Sequence, residues 1–227
     1  MLEKKGDCME QIDLNNKLYN ECCKEILNKE KILELLNLGA DPLGAISRND
    51  LKEHLYGELI CDEEECKNLY EITEMFINNG IIHKISLLKN DDDDDINPLW
   101  MLSFRCTFEG IKTLKLLLDN KIDIDSLEEF IEHTYIDYMF LDIPDSDDKE
   151  INLMRFKYAA KMLMLCASCS YVCEKSKYLR DVIEFENNTY DISKFYEYDK
   201  FDVVVEKDKF YFIDINTNLK VWEIYFG

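Results

Sequence analysis

Three groups of residues in this sequence have types and spacings that bear on chemistry. Cys166, Cys169 and Cys173 form C-x2-C-x3-C. A structural zinc site needs four ligands held tetrahedrally. These three instead fall at i, i+3 and i+7, one face of a helix, and cysteine is among the most buried residue types. A core role is expected for them, and Cys61 with Cys66 lacks a matching pair. Asp91 to Asp95 is the densest run of carboxylates. A calcium loop of the EF-hand kind needs alternate ligands, a central glycine and a terminal glutamate, whereas here Ile96-Asn97-Pro98 follows directly. The run reads as a solvated loop able to dock a Lys/Arg patch, and Asp142, Asp145, Asp147 and Asp148 read the same way. His54, His83 and His133 are scattered, with no nucleophile at a recognisable spacing. No G-x-S-x-G, H-E-x-x-H, phosphate loop or G-x-G-x-x-G occurs. No catalytic residue, metal or cofactor is expected.

Charge and aromatic content point to a protein partner. The chain has 48 acidic and 27 basic residues, for a net charge of -21. Such a chain repels nucleic-acid phosphates and anionic membrane surfaces. The same charge steers a basic partner inward, and it also keeps a protein in solution. Trp100 and Trp222, with 13 Tyr and 12 Phe, supply large contact areas; most are expected in the core, and exposed ones beside the acidic loops would anchor a partner, because aromatic residues dominate interface hot spots. The candidate partner-binding set is therefore Asp91, Asp92, Asp93, Asp94, Asp95, Trp100, Asp145, Asp147 and Asp148. No run of about 18 apolar residues exists, so no bilayer span is expected. The first residues, MLEKKGDCMEQIDLNN, lack a secretory pattern. Nine cysteines at irregular spacing favour reduced thiols, and the expected setting is cytoplasmic.

The elements that must carry these residues are mainly helical. From Asn97, an Asn-Pro turn leads into the apolar run Leu99 to Phe104. A break at Thr107 to Gly110 precedes a second helix whose face is Ile111, Leu114, Leu117 and Leu118. Asn97-Pro98-Leu99-Trp100, together with Leu116-Leu117-Leu118-Asp119-Asn120-Lys121, resembles an ankyrin repeat. Trp100 stands where that pattern has His, and Lys121 where it has Gly. Lys31-Ile32-Leu33-Glu34-Leu35-Leu36-Asn37-Leu38-Gly39-Ala40-Asp41-Pro42 is similar to the second helix of the same repeat and its ending. The resemblance implies protein binding on the face made by hairpin loops and first helices, without cofactor or catalysis.

Gly39, Gly80 and Lys121 close three similar helices at intervals of 41 residues. A fixed interval of this kind marks stacked helical repeats. It exceeds the ankyrin period of about 33 and overlaps the roughly 40 to 47 of HEAT and armadillo repeats, so HEAT-like geometry is the alternative. Along the chain, a polar lead-in is expected before a helix from Leu14 to Leu27, with Leu14, Leu18, Cys22 and Ile26 as its stripe. Helices follow at Lys29–Leu38, at Asp50–Ile60 with Asp50 as N-cap, and at Cys66–Asn78 with a face of Leu69, Ile72, Met75 and Phe76. Ser126 opens another as a capping box, and residues 151–173 form the last. Beyond Cys173 the chain turns rich in Val, Ile, Phe, Tyr and Trp. Turn signals at Glu206–Lys209 and Asn216–Asn218 divide Phe201–Phe226 into three short strands, expected as a meander of two or three antiparallel strands with Val182 to Phe185 as a further candidate. Such a small sheet needs a surface to lie on.

The expected fold is thus an ankyrin-like helical solenoid with a small antiparallel β-meander. Residues 1–27 form a capping helix region, 28–173 the repeats, and 174–227 a β-rich cap or module. The expected function is binding of a basic protein through acidic loops and aromatic anchors, in one version as an inhibitor or immunity-type protein. The rivals are an enzyme with its site between helices and sheet, and a self-associating scaffold subunit.

Overall fold

A computed structural model describes residues 3–48, 51–61, 66–80, 82, 84–85, 88–89, 95–96, 102, 107–124, 131, 149–169, 172, 191–206 and 209–225. Within them the chain is predominantly helical, with short hairpins and one three-stranded antiparallel sheet. It divides into two compact units. The first comprises Met1–Arg105 and Leu116–Asp125, and the second Cys106–Lys115 and Ser126–Gly227.

The first unit opens with α1 (Glu3–Cys22). The helix therefore begins well before Leu14 and stops short of Leu27. Glu, Lys, Met and Gln over its first turns are adequate helix formers without an apolar stripe. Of the expected stripe, Leu18 and Cys22 are fully buried, while Ile26 lies past the helix and is 85% exposed. α1 is held as much by amides as by hydrocarbon. Asn15 is buried; its Oδ1 accepts from the Asp41 backbone N–H at 2.8 Å and its Nδ2 donates to the Ala45 carbonyl at 2.8 Å. Gln11 donates to the Gly39 carbonyl at 2.7 Å, and Asn16 accepts from the Ser47 N–H at 2.9 Å. One face of α1 thereby fixes the path of the loop that follows α2 (Lys29–Asn37). Asn28 caps α2 by accepting from the Lys31 N–H.

β1 (Ala45–Arg48) and β2 (Leu51–His54) pair as an antiparallel hairpin. Here the structure corrects the sequence reading: Leu51–His54 is strand, and α3 (Leu55–Cys61) begins four residues later. The cross-strand pairing of Leu51–His54 with Ala45–Arg48 outweighs the capping-box pattern of Asp50 and Glu53. α4 (Leu69–Asn78) starts at the Asn68 N-cap rather than at Cys66. It buries Leu69, Ile72, Thr73 and Phe76, with Met75 at the margin. Tyr56 of α3 shares a buried hydrogen bond of 3.0 Å with Thr73. β3 (Lys84–Ile85), β4 (Leu88–Lys89) and β5 (Asp95–Ile96) follow, with β4 and β5 antiparallel.

α5 (Phe108–Asp119) belongs by its first part to the second unit and by its last turn to the first. Its first turn takes in Phe108 to Gly110, which the sequence reading assigned to a break; Thr107 caps it by accepting from the Gly110 N–H at 3.2 Å. Ile111, Leu114, Leu117 and Leu118 are all buried, as their spacing requires. After this helix comes β6 (Asp123–Ile124), which pairs in parallel with β3. The helix expected from Ser126 lies outside the described residues except for Ile131, which is helical and buried.

The three helix ends share a left-handed residue and the bond from its N–H to the carbonyl three residues earlier. Gly39 and Gly80 have φ of 100° and 67°, and Lys121 follows suit at 49°. Gly39, Gly80 and Lys121 donate their N–H groups to Leu36, Ile77 and Leu118. Ala40 and Ile122 donate to Leu35 and Leu117. At Gly39 and Lys121 these are the paired bonds of a Schellman ending, whose first residue past the cap is left-handed; after Gly80, Ile82 donates to Phe76 at 3.4 Å. Asn79 and Asn120, 41 positions apart, each turn their side-chain amide back to the carbonyl four residues earlier, Met75 and Leu116. Burial keeps the same register, at Ile32, Thr73 and Leu114 and again at Leu35, Phe76 and Leu117.

The second unit is built on α6 (Lys149–Ser168), which ends before Cys173. Phe156, Ala160, Leu163, Met164 and Cys166 are buried. Two 3-10 turns (Ile192–Tyr196 and Tyr198–Lys200) lead into β7 (Phe201–Val205), β8 (Lys209–Asp214) and β9 (Leu219–Tyr225), a meander in that order. A β-bulge between Phe212 and Ile213 shifts the register with β9. The inner face of the sheet is aromatic. Phe195 packs on Phe201, Phe212 and Trp222 at centroid distances of 4.5, 5.1 and 6.0 Å. Phe210 meets Phe156 of α6 edge-to-face at 5.3 Å. The sheet thus finds its surface on the preceding helix, and Val182 to Phe185 lie outside the described residues.

Candidate functional site

Of the predicted partner-binding residues, Asp91, Asp92, Asp93, Asp94, Trp100, Asp145, Asp147 and Asp148 lie outside the described residues. Asp95 is the first residue of β5 and stands opposite Lys89 of β4. Directly opposed residues in an antiparallel pair have Cα atoms about 4.5–5.5 Å apart. The hairpin therefore sets the last residue of the acidic run against Lys89, with five residues of sequence between them. β1 and β2 occupy the corresponding place after α2, closing on the pair Arg48 and Leu51 with two residues between.

Trp222 is only 3% exposed and belongs to the core of the C-terminal sheet. The apolar side chains that do face outward are others. Ile215 and Leu219, at the β8–β9 turn, are 57% and 63% exposed. Phe108 is also exposed, with the Lys112 ammonium 5.6 Å from its ring centroid. Periodicity could not have found these, because each sits at an element end or in a turn.

Residues of reactive type are held in unreactive forms. Burial raises the Cys22 thiol well above its usual range, with Cys66 adding to the effect, and burial likewise raises Cys166. A thiol kept protonated is a poor nucleophile. Cys166 and Cys169 are buried, with Cys169 just past the end of α6, which agrees with a core role; Cys173 lies outside the described residues. Burial also raises the Tyr56 phenol, only partly opposed by its hydrogen bond to Thr73. His54 ends β2 opposite Ala45, and His83 and His133 lie outside the described residues. Among the described residues no three His, Cys, Asp or Glu side chains are placed to hold a metal ion. Among them, too, no helix is long and apolar enough to cross a membrane.

One concavity in the second unit escaped the sequence reading. It is an open cleft of about 520 Å³ between the 3-10 turns and the β8–β9 hairpin. Phe201, Leu219 and Val221 give it an apolar floor, and Glu197, Lys200 and Asp214 a charged rim. The rim charges are engaged locally. Lys200 pairs with Glu197, which raises its pKa, and Asp214 accepts from the Asn216 and Thr217 N–H groups at 2.8 and 3.1 Å. No protein-family model, curated protein or solved structure matches this chain.

Proposed function

We propose that this chain is a divergent ankyrin-like repeat protein that binds a basic protein partner, with the acidic run Asp91 to Asp95 as its principal contact. The observation that carries the reading is the recurrence of a left-handed helix ending at Gly39, Gly80 and Lys121, 41 residues apart, each donating its N–H to the carbonyl three residues earlier. The parallel pairing of β3 with β6 supports it further, because these strands follow the second and third endings. Equivalent segments of stacked repeats run side by side in the same direction. Hairpins in phase after α2 and α4 favour the ankyrin-like over the HEAT-like form, which is built from helices alone.

The partner class follows from charge. A net charge of -21 accelerates encounter with a basic surface and disfavours acidic ones. A sharper form of the proposal is an intracellular inhibitor that neutralises a basic toxin or nuclease. The test is affinity capture from the native lysate with salt-gradient elution, run beside a variant in which Asp91, Asp92, Asp93, Asp94 and Asp95 are all changed to Asn. A stoichiometric basic protein released at moderate salt from the wild type, and absent from the variant, supports the reading. A partner whose retention ignores both salt and the substitutions overturns it. Concentration-dependent mass in light scattering without any partner would instead support a self-associating scaffold.

A further inference from the structure

We draw no further inference here: the strongest candidate, the open cleft between the 3-10 turns and the β8–β9 hairpin of the second unit, has a rim of charged side chains already engaged within the protein, and nothing in the structure shows what covers its apolar floor.

Discussion

Replacing Lys121 by glycine should stabilise the protein, although it removes a side chain and adds no contact. Lys121 has φ of 49°, in the place held by glycine at the ends of α2 and α4. An L-residue in the left-handed region carries about 1–2 kcal/mol of steric cost. Glycine relieves that cost but gains freedom in the unfolded chain, which returns about 0.4–1 kcal/mol. The net gain for Lys121→Gly is thus about 0.5–1 kcal/mol. For a chain of this size that corresponds to a rise of roughly 1–4 °C in Tm. The reciprocal changes, Gly39→Ala and Gly80→Ala, should lose a similar amount, about 0.5–1 kcal/mol. A Cβ built at either glycine meets nothing within 4 Å, so no clash enters and the backbone alone is tested. Urea unfolding followed by far-ultraviolet circular dichroism measures all three variants. If Gly80→Ala lowers the midpoint while Lys121→Gly leaves it unchanged or lowers it, the three endings are not energetically equivalent and the repeat argument fails.

Further tests address the packing of each unit. Asn15→Ala strands the Asp41 N–H and the Ala45 carbonyl, and at about 1–3 kcal/mol for each unsatisfied group it should cost roughly 2–4 kcal/mol in urea unfolding. Gly44→Ala places a Cβ 2.5 Å from Asn15 Nδ2, so the double variant should lose less than the sum of the two singles. Burial raises the Tyr56 pKa, so the folded state keeps a proton that the unfolded chain releases near pH 10; stability should fall as pH rises beyond that point. Tyr56→Phe should flatten that alkaline slope, and an unchanged slope would assign it to other groups. Phe195→Ala removes the centre of the aromatic cluster and should cost about 3–5 kcal/mol, read as early loss of the Trp222 fluorescence signal in a Trp100→Phe background.

Helix endings and strands were legible in the sequence where the signal is local. Gly39 and Gly80 announce left-handed endings, and the faces of α4 and α5 repeat at helical spacing. The Val- and Phe-rich segments broken at Asn216–Asn218 give β7 to β9 almost to the residue. What escaped depends on partners distant in the chain. α1 relies on amide contacts from Gln11, Asn15 and Asn16, to which apolar periodicity is blind. The β1–β2 hairpin was concealed because Asp50 and Glu53 imitate a helix start, and β3 with β6 is too short to register without its distant mate. At the candidate site, the charge of the acidic run was plain, whereas the strand pair that sets Asp95 opposite Lys89 was not. Trp222 shows why aromatic content alone does not locate a site, since an aromatic side chain looks the same in sequence whether it anchors a partner or fills a core.

The hairpins also make the chain tolerant of insertion. Strand pairing closes over two residues between Arg48 and Leu51 and over five between Lys89 and Asp95, yet the helix endings on either side keep their 41-residue spacing. Once such a connection is closed, doubling its length costs only about 0.6 kcal/mol of chain entropy. The segment between Lys89 and Asp95 is therefore a place where foreign peptides can be displayed, and where specificity can be rewritten, while the helical framework stays as it is.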